Sequence, residues 1–419
     1  MFTKLNSIFI LISFIVSLTS ACQSGERSLT LPPVSAANEN QPRQTRQTPP
    51  NQEPITIAAV GDIMLASTFP DDTRMPPKDG AEMLEEVTPI LSAADIAFGN
   101  LEGPLIDTGV SEKCPQFFAP KKAGETKPET KIEPTPIPEP PPANALPEKP
   151  AKKFTCFAFQ VPTRYGKYLK EAGFDVLSVA NNHASDFGDA GRASTRKVLD
   201  SLGIKHAGSD RNQFAVAHLE SKGKKIAFIG FAHNNVSLNV NDLETARRIV
   251  QQQTKKADIV VVSFHGGAEG TDAQHVPRQT EIFYSEKRGN LPLFARTVID
   301  AGADLVLGHG PHVLRGMEIY KDRLVAYSLG NFATYGWFGL KDATALTMIL
   351  EAKIAADGKF LGGKIHAGKQ IGRGIPVLDK TNRAAVAKVR QLSQADFGAN
   401  APLIKEDGSI TVSSQTSSR

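Results

Sequence analysis

Side chains that could bind a metal ion or a charged substrate follow five short β-rich runs of this sequence. The runs are 55–60, 95–98, 175–180, 258–264 and 303–308. The polar residues after them are Asp62, Asn100, Glu102, Asn181, Asn182, His183, His265, His309 and His312. In open α/β sheets, ligands bind outside the carboxyl ends of the strands, so we expect these distant residues to converge. The sequence therefore predicts one active or binding site.

Alternating strand and helix patterns would position these residues. Apolar residues recur at three- and four-residue spacing in 79–93, 163–172, 187–202, 242–256, 290–301 and 380–394, which predicts helices. Strands that alternate with helices favour a mostly parallel sheet. After residue 312 the pattern changes to paired strands, 315–320 with 323–329 and 345–354 with 359–367. We therefore expect an α/β fold with a mostly parallel central sheet, a second, antiparallel sheet and flanking helices.

Length and charge limit the class of protein. The chain has 419 residues, 40% of them hydrophobic, which is enough for one large domain with extensions. Its 48 basic and 44 acidic residues leave a net charge of only +4. This charge gives no nucleic-acid footprint, so we expect no nucleic-acid partner.

The first 22 residues have the pattern of an export signal. A basic residue precedes an apolar stretch from Ile8 to Leu18, and small residues lead to Cys22. The apolar stretch is too short for a comfortable transmembrane helix. A cysteine after Leu-Thr-Ser-Ala resembles a bacterial lipoprotein signal, although Thr19 stands where Leu, Val or Ile is usual. We predict attachment to the extracytoplasmic face of the cell membrane through lipidated Cys22, with plain cleavage or an uncleaved anchor as the alternatives.

Three polar segments are unsuited to a packed core. They are a tether at 23–54, a proline-rich insertion at 110–152 and a tail at 399–419, which leaves 55–398 as the folded domain. Cys114 and Cys156 flank the proline-rich stretch. In an oxidising compartment we expect a disulfide between them that closes the base of the insertion, and two free thiols are the alternative.

Five motifs in a fixed order resemble those of the CapA family of capsule synthesis proteins, known from poly-γ-glutamate capsules. The motifs are VGDIML (60–65), FGNLEGPL (98–105), LSVANNHASDFGDAG (177–191), SFHGGAEG (263–270) and GADLVLGHGPHVLRGMEIY with LVAYSLGNF (302–332). That family in turn resembles the calcineurin-like metallophosphoesterases. The resemblance therefore implies a sandwich of sheets that carries a two-metal site.

The resemblance also implies roles for individual residues. The implied metal ligands are Asp62, Glu102 or its neighbour Asn100, Asn182, His265, His309 and His312, and His183 is the implied proton donor to a leaving group. Two departures weaken the first metal position: Met64 stands where the phosphoesterase pattern has a histidine, and His309 and His312 are spaced by three residues instead of two. We expect one divalent ion rather than two, Mn²⁺, Fe²⁺ or Zn²⁺, with no ion as the alternative.

Other polar residues of the motifs are candidates for substrate contact. They are Asn100, Asn181, Glu269, Arg315, Ser328 and Asn331. Glu269 follows His265 by four residues, so it either orients that histidine or reaches a substrate. Ser328 and Asn331 are explained equally well as turn residues. The remaining histidines, His206, His218, His233, His275 and His366, lie outside the pattern and are predicted to be ordinary surface or core residues.

Three functional hypotheses follow, and we favour the first. A membrane-attached, extracytoplasmic protein would handle an acidic capsular or envelope polymer together with polymer-synthesis membrane proteins, and Arg192, Arg315 and the histidines would present positive charge to carboxylates. In the second hypothesis, a metal-dependent hydrolase acts on a phosphate ester or an amide. In the third, a binding module has kept the fold and lost the chemistry. The sequence leaves catalytic turnover undecided.

Overall fold

The strands and helices of the domain are described by a computed structural model for residues 53–115 and 156–412. The strands are β1 (Ile55–Met64), β2 (Ile96–Leu101), β3 (Val176–Ser178), β4 (Lys205–Ala207), β5 (Val216–Ser221), β6 (Lys224–Ala232), β7 (Leu238–Asn239), β8 (Ile259–His265), β9 (Glu281–Phe283), β10 (Glu286–Gly289), β11 (Leu305–His309), β12 (Met317–Tyr320), β13 (Arg323–Ala326), β14 (Asn331–Thr334), β15 (Leu346–Ile354), β16 (Phe360–Ile371), β17 (Ile375–Leu378), β18 (Leu403–Ile404) and β19 (Ser409–Thr411). The helices are α1 (Thr88–Leu91), α2 (Gly166–Glu171), α3 (Gly188–Ser201), α4 (Leu243–Thr254), α5 (Leu291–Asp300) and α6 (Ala384–Phe397).

The five motif-bearing strands are divided between two large sheets. The first sheet has ten strands in the order β18-β19-β16-β15-β1-β2-β3-β4, with β14 beside β1 and β17 beside β16. The second has seven, in the order β12-β13-β11-β8-β6-β5, with β7 beside β6. Strands β1 to β4 are parallel to one another, and so are β6, β8, β11 and β13. Each sheet therefore has a parallel centre that contains motif-bearing strands, β1 to β3 in the first sheet and β8 and β11 in the second.

The α/β class, the parallel strands and the second sheet are confirmed, but the paired strands lie elsewhere than expected. Both predicted hairpins form, β12 with β13 and β15 with β16. Instead of making a separate antiparallel sheet, the first joins β11 and the second joins β1. The exposed backbone groups of an edge strand favour such pairing. Both sheets are consequently mixed.

Five of the six predicted helices form, and the region 79–93 is the exception. There the chain makes turns followed by the single-turn helix α1, so the predicted helix was wrong. Lys78 and Asp79 adopt left-handed backbone conformations with φ of 52°. Pro89 lacks the N–H that a continuous helix needs and disfavours helical geometry in the residue before it.

The two sheets pack face to face, and helices cover their outer faces. Alternate residues of β1 belong to different clusters: Ile57 and Ala59 lie in the core between the sheets, whereas Ala58 and Val60 face the cluster that includes residues of α1 and α2. Across the inner core the rings of Phe98 and Phe228 stack with centroids 5.4 Å apart. This packing places the carboxyl ends of the parallel strands of both sheets at the same edge of the sandwich.

The predicted disulfide between Cys114 and Cys156 is confirmed, with Cα atoms 5.9 Å apart. Cys114 is fully buried and packs with a small cluster that contains Phe69, Ile106 and Phe187. The signal with Cys22, most of the tether, most of the insertion and the last residues of the tail lie outside the described residues, so the domain boundaries and lipidation stay predictions. Within 53–115 and 156–412, no helix combines the length and apolar character needed to cross a membrane.

Replacing Cys114 and Cys156 together with alanine is expected to lower the free energy of unfolding by about 2–4 kcal/mol. The bridge joins residues that are 42 positions apart, so it restricts the unfolded chain. Denaturant unfolding of the variant and of the oxidised parent measures this difference. An unchanged unfolding midpoint would show that the bridge contributes nothing to stability.

Candidate metal centre

Polar side chains from both sheets converge in one fully buried cluster. Asp62 of β1 lies opposite Asn100 of β2 in strand register, and His309 of β11 lies opposite His265 of β8. Glu102 follows β2, and all five residues have no exposed surface. The carboxyl ends of the two parallel sets therefore meet, as the sequence predicted.

Asp62, Glu102 and His265 have the composition and spacing of a metal site. One potential ligand atom from each lies within 4.8 Å of the others. Among the residues that the structure describes, neither carboxylate oxygen of Glu102 nor Nε2 of His265 has a hydrogen-bond partner. Buried polar atoms without partners cost free energy, and a cation would satisfy them. Mixed carboxylate and imidazole ligands suit Mn²⁺, Fe²⁺ or Zn²⁺, so these residues fit a divalent ion.

His309 and His312 adjoin the same carboxylates despite their three-residue spacing. Nδ1 of His309 is 3.6 Å from Asp62 Oδ1, and Nδ1 of His312 is 3.0 Å from Asp62 Oδ2. Nε2 of His312 is also 3.8 Å from Glu102 Oε1. The backbone of His312 has φ of 59°, a left-handed conformation that is uncommon outside glycine and concentrates at functional sites. With this backbone conformation, the imidazole of His312 lies beside Asp62 in the cluster.

Burial and mutual contact shift the pKa values of these groups. Burial, followed by the negative charge of Asp62, raises the pKa of Glu102 well above its usual range. Burial lowers the pKa of His265, which keeps its imidazole neutral and able to bind a metal. Burial opposes the charged form of His312, but the carboxylates of Glu102, Asp62 and Glu269 outweigh it and raise the pKa to about 10. Burial also opposes ionisation of Asp62, yet the neighbouring imidazoles of His309 and His312 hold its pKa below the usual range.

His183 lies beside the carboxylates with one ring nitrogen directed to them. Its Nε2 is 4.0 Å from Glu102 Oε1, and its Nδ1 is 2.8 Å from Asp186 Oδ2. Nζ of Lys113 lies 3.2 Å from the same Nδ1. Burial lowers the pKa of His183. The side-chain oxygen of Asn182 is buried without a partner in the described part of the chain, which suits a metal ligand.

Asn100 and Asn181 position other groups of the cluster. Asn100 donates to Asp62 Oδ1 at 2.8 Å, and Asn181 donates to Asn100 Oδ1 at 3.2 Å. The side-chain oxygen of Asn181 also accepts the backbone N–H of His183 at 3.1 Å. These contacts give both amides a positioning role, whereas the sequence had offered both as substrate contacts and Asn100 also as the alternative ligand to Glu102.

Glu269 and Asn331 both contact His312. Oε2 of Glu269 is 3.9 Å from His312 Nε2, and its other oxygen accepts from the buried Arg288. The side-chain oxygen of Asn331 is 3.1 Å from His312 Nδ1. Glu269 therefore faces His312 and not His265.

Ser328 and the two arginines have partners within the fold, and for Ser328 these are the turn contacts that the sequence had allowed. Ser328 donates to Val313 O at 2.7 Å and accepts from Gly330, which is turn chemistry. Arg315 is fully buried and pairs bidentately with Glu281 at 2.9 and 2.7 Å, so it is not free to bind a polymer. Arg192 is paired within its own helix region, with Asp189. Sequence patterns show the charge of an arginine but not its distant buried partner.

The sequence patterns did not indicate several residues that lie around the cluster. Phe159 stacks on His183 with ring centroids 3.9 Å apart, and Phe338 lies 4.8 Å from His312. Trp337 is 4.2 Å from Phe159. These aromatic residues, with Lys113, sit in irregular loops where periodicity gives no signal. Asp186 is the exception, because its place three residues after His183 could have indicated a partner.

The remaining histidines have ordinary partners. His206 pairs with Asp200, His218 with Gln253, His275 with Asp396 and His366 with Glu351. His233 is buried behind the cluster, 6.0 Å from the ring of His265, and Nη1 of Arg288 donates to it. Its pKa falls to about 4 because burial and Arg288 disfavour the charged form. They are core or surface residues, as predicted.

Replacing Met64 with histidine is expected to add a second bound Mn²⁺ per protein. Met64 is fully buried and lies two residues after Asp62 in β1. Both His309 and His312 lie near Asp62, so a histidine at position 64 would join them. Titration calorimetry of the variant and the parent gives the stoichiometry. An unchanged number of bound ions would show that this position no longer reaches a metal.

Comparison with known proteins agrees with the resemblance of the motifs. The family model for the bacterial capsule synthesis protein PGA_cap matches residues 56–133 and 141–335. Capsule biosynthesis protein CapA of Bacillus anthracis is 30% identical over 264 residues, which cover 59% of this chain and 59% of that protein. PGA biosynthesis protein CapA of Bacillus subtilis is 34% identical over 193 residues, 42% of this chain and 47% of that protein.

The chain spans about half to three-fifths of the length of these relatives. Solved structures similar to it include a hypothetical protein from Thermus thermophilus, with 14% identity, a TM-score of 0.41 and coverage of 75% of this chain and 99% of that one. A putative 5'-nucleotidase from Staphylococcus aureus has 11% identity, a TM-score of 0.38 and coverage of 81% and 58%. Because the family model matches more than half of the chain, this protein belongs to the PGA_cap family of bacterial capsule synthesis proteins.

Proposed function

We propose that this protein is a membrane-attached, extracytoplasmic, metal-dependent component of the synthesis of an acidic capsular or envelope polymer such as poly-γ-glutamate. The names of the Bacillus relatives support the polymer, since both refer to capsule or PGA biosynthesis. The observation that carries the metal dependence is the buried triad of Asp62, Glu102 and His265 with its unsatisfied ligand atoms. Anionic polymer and polymer-synthesis membrane proteins are the proposed partners.

We propose two chemical tasks for the site: three residues bind a metal ion, and His183 transfers a proton. Asp62, Glu102 and His265 would hold the ion, which when bound supplies Lewis-acid stabilisation of negative charge. Asp186 holds Nδ1 of His183, so Nε2 is left to give or take a proton at the edge of the cluster. Phe159 covers one face of this imidazole and limits its contact with water.

Complementation of cells that lack the gene tests the proposal. Surface polymer is collected, hydrolysed and measured by amino-acid analysis. The parent protein and His366→Ala are expected to restore the polymer, because His366 lies on β16 and pairs with Glu351 of β15, away from the cluster. His265→Ala is expected to fail. Full restoration by His265→Ala, or unchanged polymer in cells without the gene, would overturn the proposal.

Membrane attachment is tested by fractionation. The proposed anchor is lipidated Cys22, so a Cys22→Ser protein should be released into the soluble fraction. If this protein stays membrane-bound with an unchanged precursor size, lipidation is excluded and an uncleaved N-terminal helix is the better account.

A hydrolase acting on a phosphate ester or an amide is the second candidate, and the pairing of His183 with Asp186 favours it. In this case His183→Ala should lower kcat by about 100-fold or more, since general acid–base groups typically contribute that much. The assay uses a phosphodiester and a γ-glutamyl amide with Mn²⁺. No turnover by the parent protein would exclude the hydrolase, and equal turnover by His183→Ala would exclude His183 as its acid–base group.

A further inference from the structure

A strip of aromatic and arginine side chains leads away from the metal centre. We define the aromatic–arginine strip as Phe157, Phe159, Trp337, Arg74 and Arg373. Its inner end is Phe159, which stacks on His183 at 3.9 Å and contacts Trp337 at 4.2 Å. Phe157 lies 6.5 Å from Trp337 and is 50% exposed. The strip therefore connects the buried cluster with solvent.

The outer end of the strip carries two arginines. The guanidinium of Arg74 lies 4.2 Å from the ring centroid of Trp337, and that of Arg373 lies 5.3 Å from Tyr335. Both side chains flank Gly336, where an added Cβ would lie 3.1 Å from Arg74 Cγ and from Arg373 Nη2. Nη1 of Arg373 donates to Thr73 O at 2.7 Å. The two positive charges are thus held side by side over aromatic rings.

Neither of these arginines forms an ion pair with a carboxylate in the described ranges. The other arginines near the cluster differ: Arg288 pairs with Glu269 and Glu286, and Arg315 pairs with Glu281. A guanidinium presents a planar fork of N–H donors that matches a carboxylate. The strip consequently offers two guanidinium groups that no carboxylate of the described ranges holds in an ion pair, although the charge of Asp71 acts on Arg74.

We propose that the aromatic–arginine strip binds a carboxylate-bearing polyamide and leads it to the metal centre. Arg74 and Arg373 would bind carboxylates, and the faces of Phe157 and Trp337 would contact the methylene groups between them, beside the buried Phe159. A chain of γ-linked glutamate has both features, because each residue carries one carboxylate and contributes methylenes to the backbone. This inference rests on the proposed role in handling an acidic polymer.

Binding of a fluorescent decamer of γ-linked glutamate, followed by anisotropy at fixed ionic strength, tests the strip. The parent protein is expected to bind, and Arg74→Ala and Trp337→Ala are each expected to raise Kd about tenfold, as central arginine and tryptophan contacts do. Arg247→Ala is the matched control, since Arg247 is an exposed arginine of α4, and its Kd should not change. Trp337→Phe keeps an aromatic face and should bind nearly as the parent does, which separates loss of stacking from loss of folding.

The outcomes distinguish the strip from the function on which it rests. If the parent binds and both alanine variants bind equally well, the strip is wrong while the polymer function stands. If the parent does not bind, the strip is wrong, and the complementation experiment decides the polymer function independently. A decamer whose carboxylates are amidated is expected to bind at least about tenfold more weakly, because charge-assisted hydrogen bonds are lost. Equal binding of the amidated decamer, or binding of adenosine monophosphate in place of the decamer, would also overturn the strip.

Discussion

Replacing Glu102 with glutamine is expected to weaken Mn²⁺ binding by about 100-fold or more, because the change removes a charged ligand from the centre of the site. The same change is expected to stabilise the metal-free protein. Glu102 is fully buried, neither of its oxygens has a hydrogen-bond partner in the described chain, and the charge of Asp62 lies nearby. A neutral amide of similar shape removes this unfavourable burial. Opposite effects on binding and stability are typical of a metal ligand.

The pH dependence of the metal-free protein gives a second readout. Burial and Asp62 raise the pKa of Glu102 above the ordinary value of 4.5, so folding favours its protonated form. This contribution to stability is present below pH 4.5 and is lost as the pH rises through the raised pKa. The Glu102→Gln protein should lack this loss.

Titration calorimetry with Mn²⁺ and thermal unfolding in a chelator measure both effects. Glu351→Gln is the control, because Glu351 pairs with His366 on a strand away from the cluster. An unchanged Mn²⁺ affinity in Glu102→Gln would contradict the assignment of Glu102 as a ligand. A metal-free variant that is less stable than the parent would contradict the electrostatic argument.

Replacing Glu281 with alanine is expected to lower the free energy of unfolding by about 3–5 kcal/mol, the usual cost of leaving a buried charge unpaired. Arg315 is fully buried, and Glu281 accepts two hydrogen bonds from its guanidinium. The remaining contacts of that guanidinium are with the backbone oxygens of Ala268 and Ala273, which carry no full charge. Arg315 would therefore stay buried without a counter-ion.

Denaturant unfolding compares this variant with Glu244→Ala, which removes an exposed carboxylate from α4. The control should change stability by less than about 0.5 kcal/mol, as surface substitutions usually do. A Glu281→Ala protein that unfolds at the same denaturant concentration as the parent would show that Arg315 does not depend on this pair.

The sequence predicted that Asp62, Glu102 and His265 would lie together because their positions follow from a general rule. Asp62, Glu102 and His265 each come at or just after the end of a hydrophobic strand, and parallel strands present their carboxyl ends together. The strands themselves were visible as continuous apolar runs, which are typical of buried parallel strands. The same local patterns revealed both hairpins.

The division of those strands between two sheets could not be read from local pattern. β1 pairs with β15 and β14, which come from the far end of the chain, and each pairing depends on packing rather than on neighbouring residues. Arg315 illustrates the same limit at the level of one side chain. Its type suggested a polymer contact, but its function depends on Glu281, which lies across a loop and is identified only by the folded geometry.

Anomalous diffraction from crystals grown with Mn²⁺ locates the bound ion. We predict a manganese peak bounded by Asp62, Glu102 and His265, at the junction of the two sheets. The peak should be absent from crystals of the His265→Ala protein grown in the same way and present in those of His366→Ala. A map of the parent protein with no peak in this cluster, or with peaks only at other sites, would show that these three residues do not bind the ion.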